Sequence, residues 1–250
     1  MKLGFFDSGM GGVFMMQECI KALPYNNYVY LGDTANLPYG PKSSEDILKY
    51  MTPCLLWLIE EQACDYLIVA CNTASAQALG EFIKNYPQYQ NKIINIVEIT
   101  QEYLQNQVAF YEEILVLATQ RTVTSKVYEN IDNHSMKQLA MPGLVDLIEL
   151  DDRGGALSMV KDALSYYPKV NYLLLGCTHY VYLEENLKEQ YPDITILGQD
   201  SILTSYLKKH LQGNVSSEEN GVHEYYVSGD PEVYSKQFNT LFHKIILKKN

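Results

Sequence analysis

Residues 173–180 read LLLGCTHY, a run of large apolar residues that ends in a glycine, a cysteine, a threonine and a histidine. Earlier in the chain, residues 67–74 read LIVACNTA and repeat the arrangement around a second cysteine. Unbroken apolar runs of this length are typical of strands in a parallel sheet that is covered on both faces. Ligands bind at the carboxyl ends of such strands, so the two cysteines that end these runs are candidate site residues.

Apolar runs of strand length recur along the chain and alternate with stretches of helical periodicity. The predicted strands are 3–6, 28–31, 66–70, 93–97, 114–118, 172–175, 194–197 and 224–227. The predicted helices are 12–23, 44–62, 75–85, 123–131, 155–166 and 181–190. Strands that alternate with helices predict an α/β protein built on doubly wound parallel sheets.

The chain also repeats its own pattern of strand and loop. GFFDSG (4–9) precedes the Cys71 run, and LVLATQRT (115–122) precedes the Cys177 run at a similar interval. This predicts two similar α/β halves, each offering one loop and one cysteine at strand ends. If those ends face each other, the two cysteines lie on opposite sides of a cleft.

Two segments are expected to interrupt the regular elements. Pro53 lies inside a predicted helix and is expected to kink it or to mark a restart, because proline removes a backbone donor. The polar, turn-rich segment 213–221 is the most linker-like stretch of the chain.

The composition argues for a well-cored protein without a nucleic-acid partner. Of the 250 residues 47% are hydrophobic, and the formal net charge is −11. Nucleic acids and anionic membrane surfaces need a basic face, so both are disfavoured as partners. A small anionic ligand remains compatible, because N–H groups at helix starts bind anions. Apolar run 3–6 is far too short for a signal peptide, and no run approaches a membrane span, which predicts a cytoplasmic protein.

The five cysteines show no C-x-x-C spacing, which makes a metal site or a disulfide framework unlikely and favours reduced thiols. Three of them, Cys19, Cys54 and Cys64, lie among apolar neighbours and are interpreted as small buried hydrophobes. The loop DSGMGG (7–12) lacks the lysine of a phosphate-binding loop and the G-x-G-x-x-G spacing. The sequence therefore predicts neither a metal nor a cofactor.

Cys71 and Cys177 differ from the other cysteines in the polar residues that follow them. Asn72 and Thr73 after Cys71 are good helix-capping residues, and a thiol at a helix N-terminus has a lowered pKa. Cys177 is expected in the same setting, with His179 able to hold or relay a proton. A single cysteine here would be interpreted as a core residue, but two in matched settings favour a function.

Other polar residues at strand ends can be interpreted either as functional or as structural residues. Asp7 either supports a thiol or orients an ammonium group, or it caps a helix. The loop GDTANLPYG (32–40) is a turn if taken alone. Glu149 is a surface carboxylate unless the fold brings it beside Cys177.

Two thiols on opposite sides of a cleft favour removal of a proton from one face of a carbon and delivery to the other face. A Cys–His pair formed by Cys177 and His179 alone, without a second thiol, would instead suggest a thiol hydrolase or acyltransferase. Those two residues are only two positions apart, whereas a hydrolase base usually comes from elsewhere in the chain. A hydrolase mechanism would also give Cys71 no role in catalysis.

The ordered set of motifs resembles the bacterial glutamate racemases of the cofactor-independent aspartate/glutamate racemase superfamily. The matching segments cover essentially the whole chain and are DSGMGG (7–12), GDTANLPYG (32–40), ACNTASA (70–76), ATQRTVTSKVY (118–128), LVDLIE (144–149), LGCTHY (175–180) and YYVSGDPE (225–232). The two cysteine motifs together carry most of the specificity.

The resemblance implies two α/β domains with pseudo-twofold symmetry and an active site in the cleft between them. The first domain would comprise residues 1–97 plus 207–250, and the second residues 98–206. It also implies a glutamate racemase that needs no cofactor, takes glutamate as its small-molecule partner and supplies D-glutamate for peptidoglycan. Family members are often dimers, so a homodimer is one expectation.

The resemblance further implies roles for individual residues. Cys71 would deprotonate D-glutamate and Cys177 would deprotonate L-glutamate, with Asp7, Glu149 and His179 assisting the thiols. The residues that match substrate contacts are Asp7, Ser8, Tyr39, Gly40, Asn72, Thr73, Thr119, Thr122, Thr178 and His179. The chain departs from the family pattern at Val181, at Asp146 and at Arg121, and Arg121 is the departure expected to alter substrate contacts.

Two rival functions are compatible with the same motifs. One is a relative with another substrate, such as an aspartate racemase or a decarboxylase, although the retained second cysteine disfavours a decarboxylase. The other is a binding protein that keeps the fold without catalysis, and its expected signature, a lost cysteine, is absent from this sequence.

Overall fold

The computed structural model describes residues 1–109, 112–129, 131, 135–211, 220–242 and 245–250. Its strands form two parallel sheets. The strands are β1 (Lys2–Asp7), β2 (Asn27–Gly32), β3 (Tyr66–Val69), β4 (Ile93–Asn95), β5 (Glu113–Ala118), β6 (Ser135–Ala140), β7 (Tyr172–Gly176), β8 (Thr195–Gly198), β9 (His223–Val227) and β10 (Leu247–Lys249).

The two sheets repeat one strand order. The six-stranded sheet has the order β10-β9-β2-β1-β3-β4, and the four-stranded sheet has the order β6-β5-β7-β8. Strands β2-β1-β3-β4 of the first sheet therefore correspond one by one to the whole of the second. In each sheet the strand before a cysteine, β3 or β7, is hydrogen-bonded to the strand that precedes a polar loop, β1 or β5. The predicted α/β class and the predicted internal repeat are confirmed.

Helices connect the strands and cover both sheets. The helices are α1 (Gly12–Ala22), α2 (Ser44–Leu56), α3 (Asn72–Gln77), α4 (Leu79–Asn85), α5 (Ile96–Gln107), α6 (Gln120–Ser125), α7 (Leu144–Glu149), α8 (Arg153–Ser165), α9 (Glu184–Gln190), α10 (Gln199–His210) and α11 (Pro231–Leu241). Among the described helices, none combines the length and the apolar character that a membrane crossing requires.

Strands β1, β3, β5 and β7 at the centres of the sheets are mostly apolar because the sheets are buried on both faces there. Phe5 belongs to a core that the two sheets share, whereas its neighbour Phe6 packs into a second core beneath α2. In the other sheet Val116 faces the shared core and Leu117 faces a third core beneath α8. One contiguous apolar core thus joins the two sheets.

Several predicted helices have different limits in the structure. Predicted helix 75–85 begins earlier and is broken at Ala78 into α3 and α4. Predicted helix 123–131 is replaced by α6, which ends before Lys126 because that residue adopts a left-handed conformation with φ of 60°. Predicted helix 181–190 starts with a short 3-10 turn, Tyr180–Leu183, before α9. Pro53 lies inside α2, which continues to Leu56 and then passes into a π-helical turn.

The predicted strand 93–97 is too long by two residues. β4 ends at Asn95 because the Asn95 side chain accepts a hydrogen bond from the backbone of Val97 and caps α5. Strands β6 and β10, and helices α5, α7 and α10, were not predicted as such. The predicted linker 213–221 falls outside the described residues except for its last two positions.

The predicted domain borders are not tested by the strand order. The strands of the six-stranded sheet come from residues 2–95 and 223–249, and those of the four-stranded sheet come from residues 113–198. The borders at 97/98 and 206/207 fall within α5 and α10, which lie between these segments, and they stay a prediction.

Candidate active site

A cavity of about 440 Å³ contains both candidate cysteines, Cys71 and Cys177. It lies at the carboxyl ends of β1, β3, β5 and β7, so both sheets contribute to its wall. Its lining residues are Ser8, Gly9, Leu37, Pro38, Tyr39, Gly40, Pro41, Cys71, Asn72, Thr73, Thr119, Gln120, Met141, Pro142, Gly143, Val145, Asp146, Glu149, Cys177, Thr178, His179 and Tyr180. The fold therefore brings together two thiols that lie in different sheets.

Cys71 lies in a buried environment next to the loop after β1. It caps α3, and its Sγ accepts a hydrogen bond of 3.5 Å from the backbone N–H of Ala74. The thiol donates to Ser8 Oγ at 3.4 Å. Burial, reinforced by the nearby carboxylate of Asp7, raises the pKa of Cys71 to about 12. The predicted lowering of this pKa is wrong, because desolvation outweighs the short helix, and the resting group is a protonated thiol.

Cys177 lies in a turn and faces a charged pair. The turn is closed by a hydrogen bond of 3.0 Å from the backbone N–H of Tyr180 to the carbonyl oxygen of Cys177. The expectation that Cys177 begins a helix is wrong, since α9 starts only at Glu184. The Nδ1 atom of His179 lies 4.0 Å from the Cys177 sulfur, and its Nε2 lies 2.9 Å from Glu149 Oε1.

The charges of this pair follow from its contacts. Burial alone would lower the pKa of His179, but hydrogen bonds and charge interactions with Cys177 and Glu149 raise it to about 10. Burial alone would raise the pKa of Glu149, but its bonds to His179 and Gln237 lower it below its ordinary value. At neutral pH the site thus holds an imidazolium and a carboxylate beside Cys177.

Asp7 lies behind the cavity and not in its lining. Its Oδ1 accepts from the backbone N–H of Gly9 at 2.8 Å, and its Oδ2 accepts from the Thr178 hydroxyl at 3.1 Å. Burial is the main reason that the pKa of Asp7 is raised. Asp7 therefore links the first sheet to the Cys177 loop.

Gly11 explains the glycine-rich character of the first loop. A Cβ atom at Gly11 would lie 2.5 Å from Nδ1 of His179 and would also overlap the Thr178 hydroxyl. The loop after β1 and the Cys177 turn are therefore packed against each other without room for a side chain.

The remaining predicted substrate contacts are placed around the two thiols, with two exceptions. Ser8, Gly40, Asn72, Thr73, Thr119 and Thr178 line the cavity. Tyr39 also lines the cavity, and its hydroxyl donates to Asp33 Oδ2 at 2.6 Å. The two exceptions are Asp7 and Thr122. Thr122 is fully buried, and its hydroxyl oxygen lies 3.1 Å from that of Thr119.

The chain is similar in sequence to curated glutamate racemases. No protein-family model matches the sequence. A glutamate racemase of Sulfurihydrogenibium sp. (strain YO3AOP1) is 31% identical over 261 residues, covering 100% of this chain and 96% of that protein.

Solved structures of glutamate racemases superpose closely on the chain. A glutamate racemase isoform from Bacillus anthracis has a TM-score of 0.86 at 28% identity, covering 99% of this chain and 96% of that one. A glutamate racemase from Francisella tularensis subsp. tularensis SCHU S4, in complex with D-glutamate, has a TM-score of 0.81 at 26% identity. That match covers 100% of this chain and 97% of the other.

The chain belongs to the glutamate racemase family. Within this racemase family its three departures from the usual motifs have defined positions. Val181 is buried in the 3-10 turn after His179, and Asp146 on α7 lines the cavity. Arg121 does not line the cavity, since its Nε donates to the carbonyl oxygen of Lys42 at 3.0 Å. The structure therefore gives no support to the expectation that Arg121 alters substrate contacts, because its side chain is hydrogen-bonded to Lys42 outside the racemase cavity.

The structure also adds residues to this glutamate racemase site that the motifs did not identify. Asp33 is fully buried and accepts hydrogen bonds from Tyr39 and from Ser228 Oγ at 2.5 Å. Gln237 on α11 donates to Glu149 Oε2 at 2.9 Å. Only the motif GDTANLPYG, which contains Asp33, carried a sequence signal. Nothing in the local sequence marks Gln237, because its partner is far away in the chain.

Proposed function

We propose that this chain interconverts L- and D-glutamate by a two-thiol mechanism and thereby supplies D-glutamate for peptidoglycan synthesis. The observation that carries the proposal is the single cavity lined by Cys71 from one sheet and Cys177 from the other. Two bases that different sheets bring to one cavity suit a reaction that inverts a carbon centre. A hydrolase would need only one of them.

The reaction is a proton transfer in two halves. In the L-to-D direction the thiolate of Cys177 forms an S–H bond with the α-hydrogen, and the electron pair of the broken C–H bond stays on the α-carbon. The thiol of Cys71 then gives its proton to the opposite face of that carbon. The D-to-L direction exchanges the two roles, so no net proton is gained or lost.

The charges around the thiols support this division of labour. The imidazolium of His179 lies 4.0 Å from the Cys177 sulfur and is balanced by Glu149 on its other side. Among the described residues, none places a cation beside Cys71, and this thiol keeps its proton because burial raises its pKa to about 12. The site is therefore asymmetric, with an imidazolium on the Cys177 side and a protonated thiol on the Cys71 side.

Hydroxyl and amide groups on the cavity wall support the binding of the substrate carboxylates. Ser8, Asn72 and Thr73 line the cavity that contains both thiols. Donors of this kind pair with the negative charge of a carboxylate, which the substrate carries before and during the proton transfer. Glutamate as the substrate is supported by the Francisella tularensis relative, whose structure is in complex with D-glutamate.

Location, domain borders and assembly belong to the same proposal. Both thiols must stay reduced to work, which favours the cytoplasm. The proposed domains are residues 1–97 plus 207–250 and residues 98–206, and the proposed assembly is a homodimer. Sedimentation of the purified chain tests the assembly.

Solvent-exchange experiments test the reaction type and the substrate together. The wild-type protein is incubated in D2O with each enantiomer of glutamate and, in parallel, of aspartate. We expect loss of the α-proton NMR signal and growth of the opposite enantiomer with glutamate, and no comparable turnover with aspartate. Turnover of aspartate alone contradicts the substrate, and binding of glutamate without exchange contradicts catalysis.

A further inference from the structure

A buried network of polar side chains lies directly behind Asn72 and connects it to helices α5 and α10. Thr100 on α5, Gln199 on α10 and Tyr128 just beyond α6 are all fully buried, and Asn72 is 3% exposed. Four polar side chains without access to water are costly unless every donor and acceptor is paired. The pairing is therefore informative about which way each group points.

The direction of the hydrogen bonds is fixed by one backbone carbonyl. The hydroxyl of Thr100 donates to the carbonyl oxygen of Ile96 at 2.7 Å, and a carbonyl oxygen can only accept. The single proton of Thr100 is thus used, and its oxygen must accept from Gln199 Nε2 at 2.9 Å. This places Gln199 Oε1 toward Asn72, whose Nδ2 donates to it at 2.7 Å.

The same network surrounds the side-chain carbonyl oxygen of Asn72 with hydrogen-bond donors. Asn72 Oδ1 accepts from the Tyr128 hydroxyl at 2.9 Å and lies 3.1 Å from Gln199 Nε2. Burial raises the pKa of Tyr128, so this hydroxyl keeps the proton that it donates. Asn72 lines the cavity together with Cys71. Among the described residues, none accepts a hydrogen bond from the second Nδ2 hydrogen of Asn72.

We propose that Thr100, Gln199 and Tyr128 are positioning residues that hold the Asn72 amide with its N–H group toward the substrate. The inference rests on the proposed racemase function, because it gives the substrate carboxylate a fixed donor at this position. A reversed amide would present a carbonyl oxygen and repel the carboxylate. The chain from the Ile96 carbonyl through Thr100 and Gln199 prevents that reversal.

Thr100→Val tests the inference, because valine keeps the shape of threonine and removes the acceptor that orients Gln199. We expect KM for both enantiomers of glutamate to rise about tenfold, the effect of one lost hydrogen bond to a charged group. We expect kcat to change by less than about threefold, since substrate and transition state both carry the carboxylate. Thr100→Ser restores the hydroxyl and should restore KM.

A matched control separates this effect from the loss of a helix hydrogen bond. Thr52 on α2 donates to the carbonyl oxygen of Leu48 at 2.7 Å, the same bond that Thr100 makes on α5. Thr52 does not line the cavity, so Thr52→Val should leave KM unchanged. Tyr128→Phe removes one donor to Asn72 and serves as the second test if Thr100→Val does not fold.

The outcomes distinguish this inference from the proposed function. If wild-type protein racemises glutamate and the folded Thr100→Val and Tyr128→Phe variants keep the wild-type KM, the positioning role is overturned. A lowered Tm with an unchanged KM has the same meaning, because the network then serves stability alone. If wild-type protein turns over neither enantiomer, the proposed function fails, and the inference falls with it.

Discussion

The two thiol environments differ in charge although they share a scaffold. Cys71 and Cys177 are both 5% exposed, and they follow the corresponding strands β3 and β7 of the two sheets. Two positions after Cys71 stands Thr73, which lies 3.1 Å from another hydroxyl, that of Thr119. Two positions after Cys177 stands His179, which forms a charged pair with Glu149.

Burial therefore cannot explain how the two thiols differ, since both are equally buried. The difference comes from one residue in each motif, a neutral hydroxyl in one half and an imidazolium in the other. The duplicated strand order supplies two matched positions, and the residue two places after each cysteine is a neutral hydroxyl in one half and an imidazolium in the other.

Removing either thiol should have the largest effect on racemisation activity. We expect Cys71→Ala and Cys177→Ala each to lower racemisation by about a thousandfold or more, because each loses one proton carrier. The remaining base should still exchange the α-hydrogen of one enantiomer, L-glutamate in Cys71→Ala and D-glutamate in Cys177→Ala. Proton NMR in D2O with chiral chromatography measures both effects.

Cys54→Ala is the control for this pair, since Cys54 is a buried free thiol on α2 outside the cavity. It should keep wild-type racemisation. Substantial racemisation by either of the two active-site variants would contradict the two-base assignment.

Replacing His179 should make the two sides more alike. In His179→Gln we expect kcat/KM to fall about a hundredfold. The fall must be equal in both directions, because the two enantiomers have the same free energy. A coupled assay from each enantiomer measures it, and an unchanged kcat/KM would remove His179 from the mechanism.

The same variant makes a prediction about stability and pH. Because contacts with Cys177 and Glu149 outweigh burial, the folded pKa of His179 is raised from 6.5 to about 10. Its stabilising contribution is therefore complete below pH 6.5 and is lost as the pH rises toward 10. Cys71 does not interfere below pH 9.0, since burial raises its pKa from that value. We expect the slope of Tm between pH 6.5 and 9 to shrink in His179→Gln.

Gly11→Ala probes the contact between the halves and should have the smallest effect on activity. The added methyl group would press on Thr178 and His179 and shift the charged side relative to the neutral side. We expect kcat to fall by about tenfold, as small misplacements of catalytic groups are costly.

Gly80→Ala is the matched control on α4, where a Cβ atom would meet nothing within 4 Å. It should keep activity and stabilise the helix by up to about 1 kcal/mol. Equal kcat values for the two alanine variants would show that the close packing at Gly11 has no part in catalysis.

Local patterns were sufficient to predict most central elements of the fold. The strands around both cysteines were predicted because buried parallel strands have unbroken apolar runs. The edge strands β6 and β10 were not predicted, since SMKQLA and LKK lack such runs. The predicted strand 93–97 extends into helix α5, because the apolar run of β4 continues into the first turn of α5 and only Asn95 separates them.

The active site was predictable where a motif carries its own chemistry. The cysteines, His179 and Glu149 belong to such motifs, and the cavity brings them together. Gln237 and Gln199 were not predictable, because their partners lie 88 and 127 positions away in the sequence. The raised pKa of Cys71 was also missed, since burial depends on tertiary packing and not on the helix that follows.

The order of strands in the six-stranded sheet has a consequence for synthesis on the ribosome. The four-stranded sheet has all its strands once residue 198 has been made, whereas β2 waits for β9 and β10, which end at residue 249. The half that carries Cys177 can therefore mature first, although Cys71 is translated earlier. Truncation of residues 223–249 would expose the edge of β2 and would damage the Cys71 half, which is remote from it in the sequence.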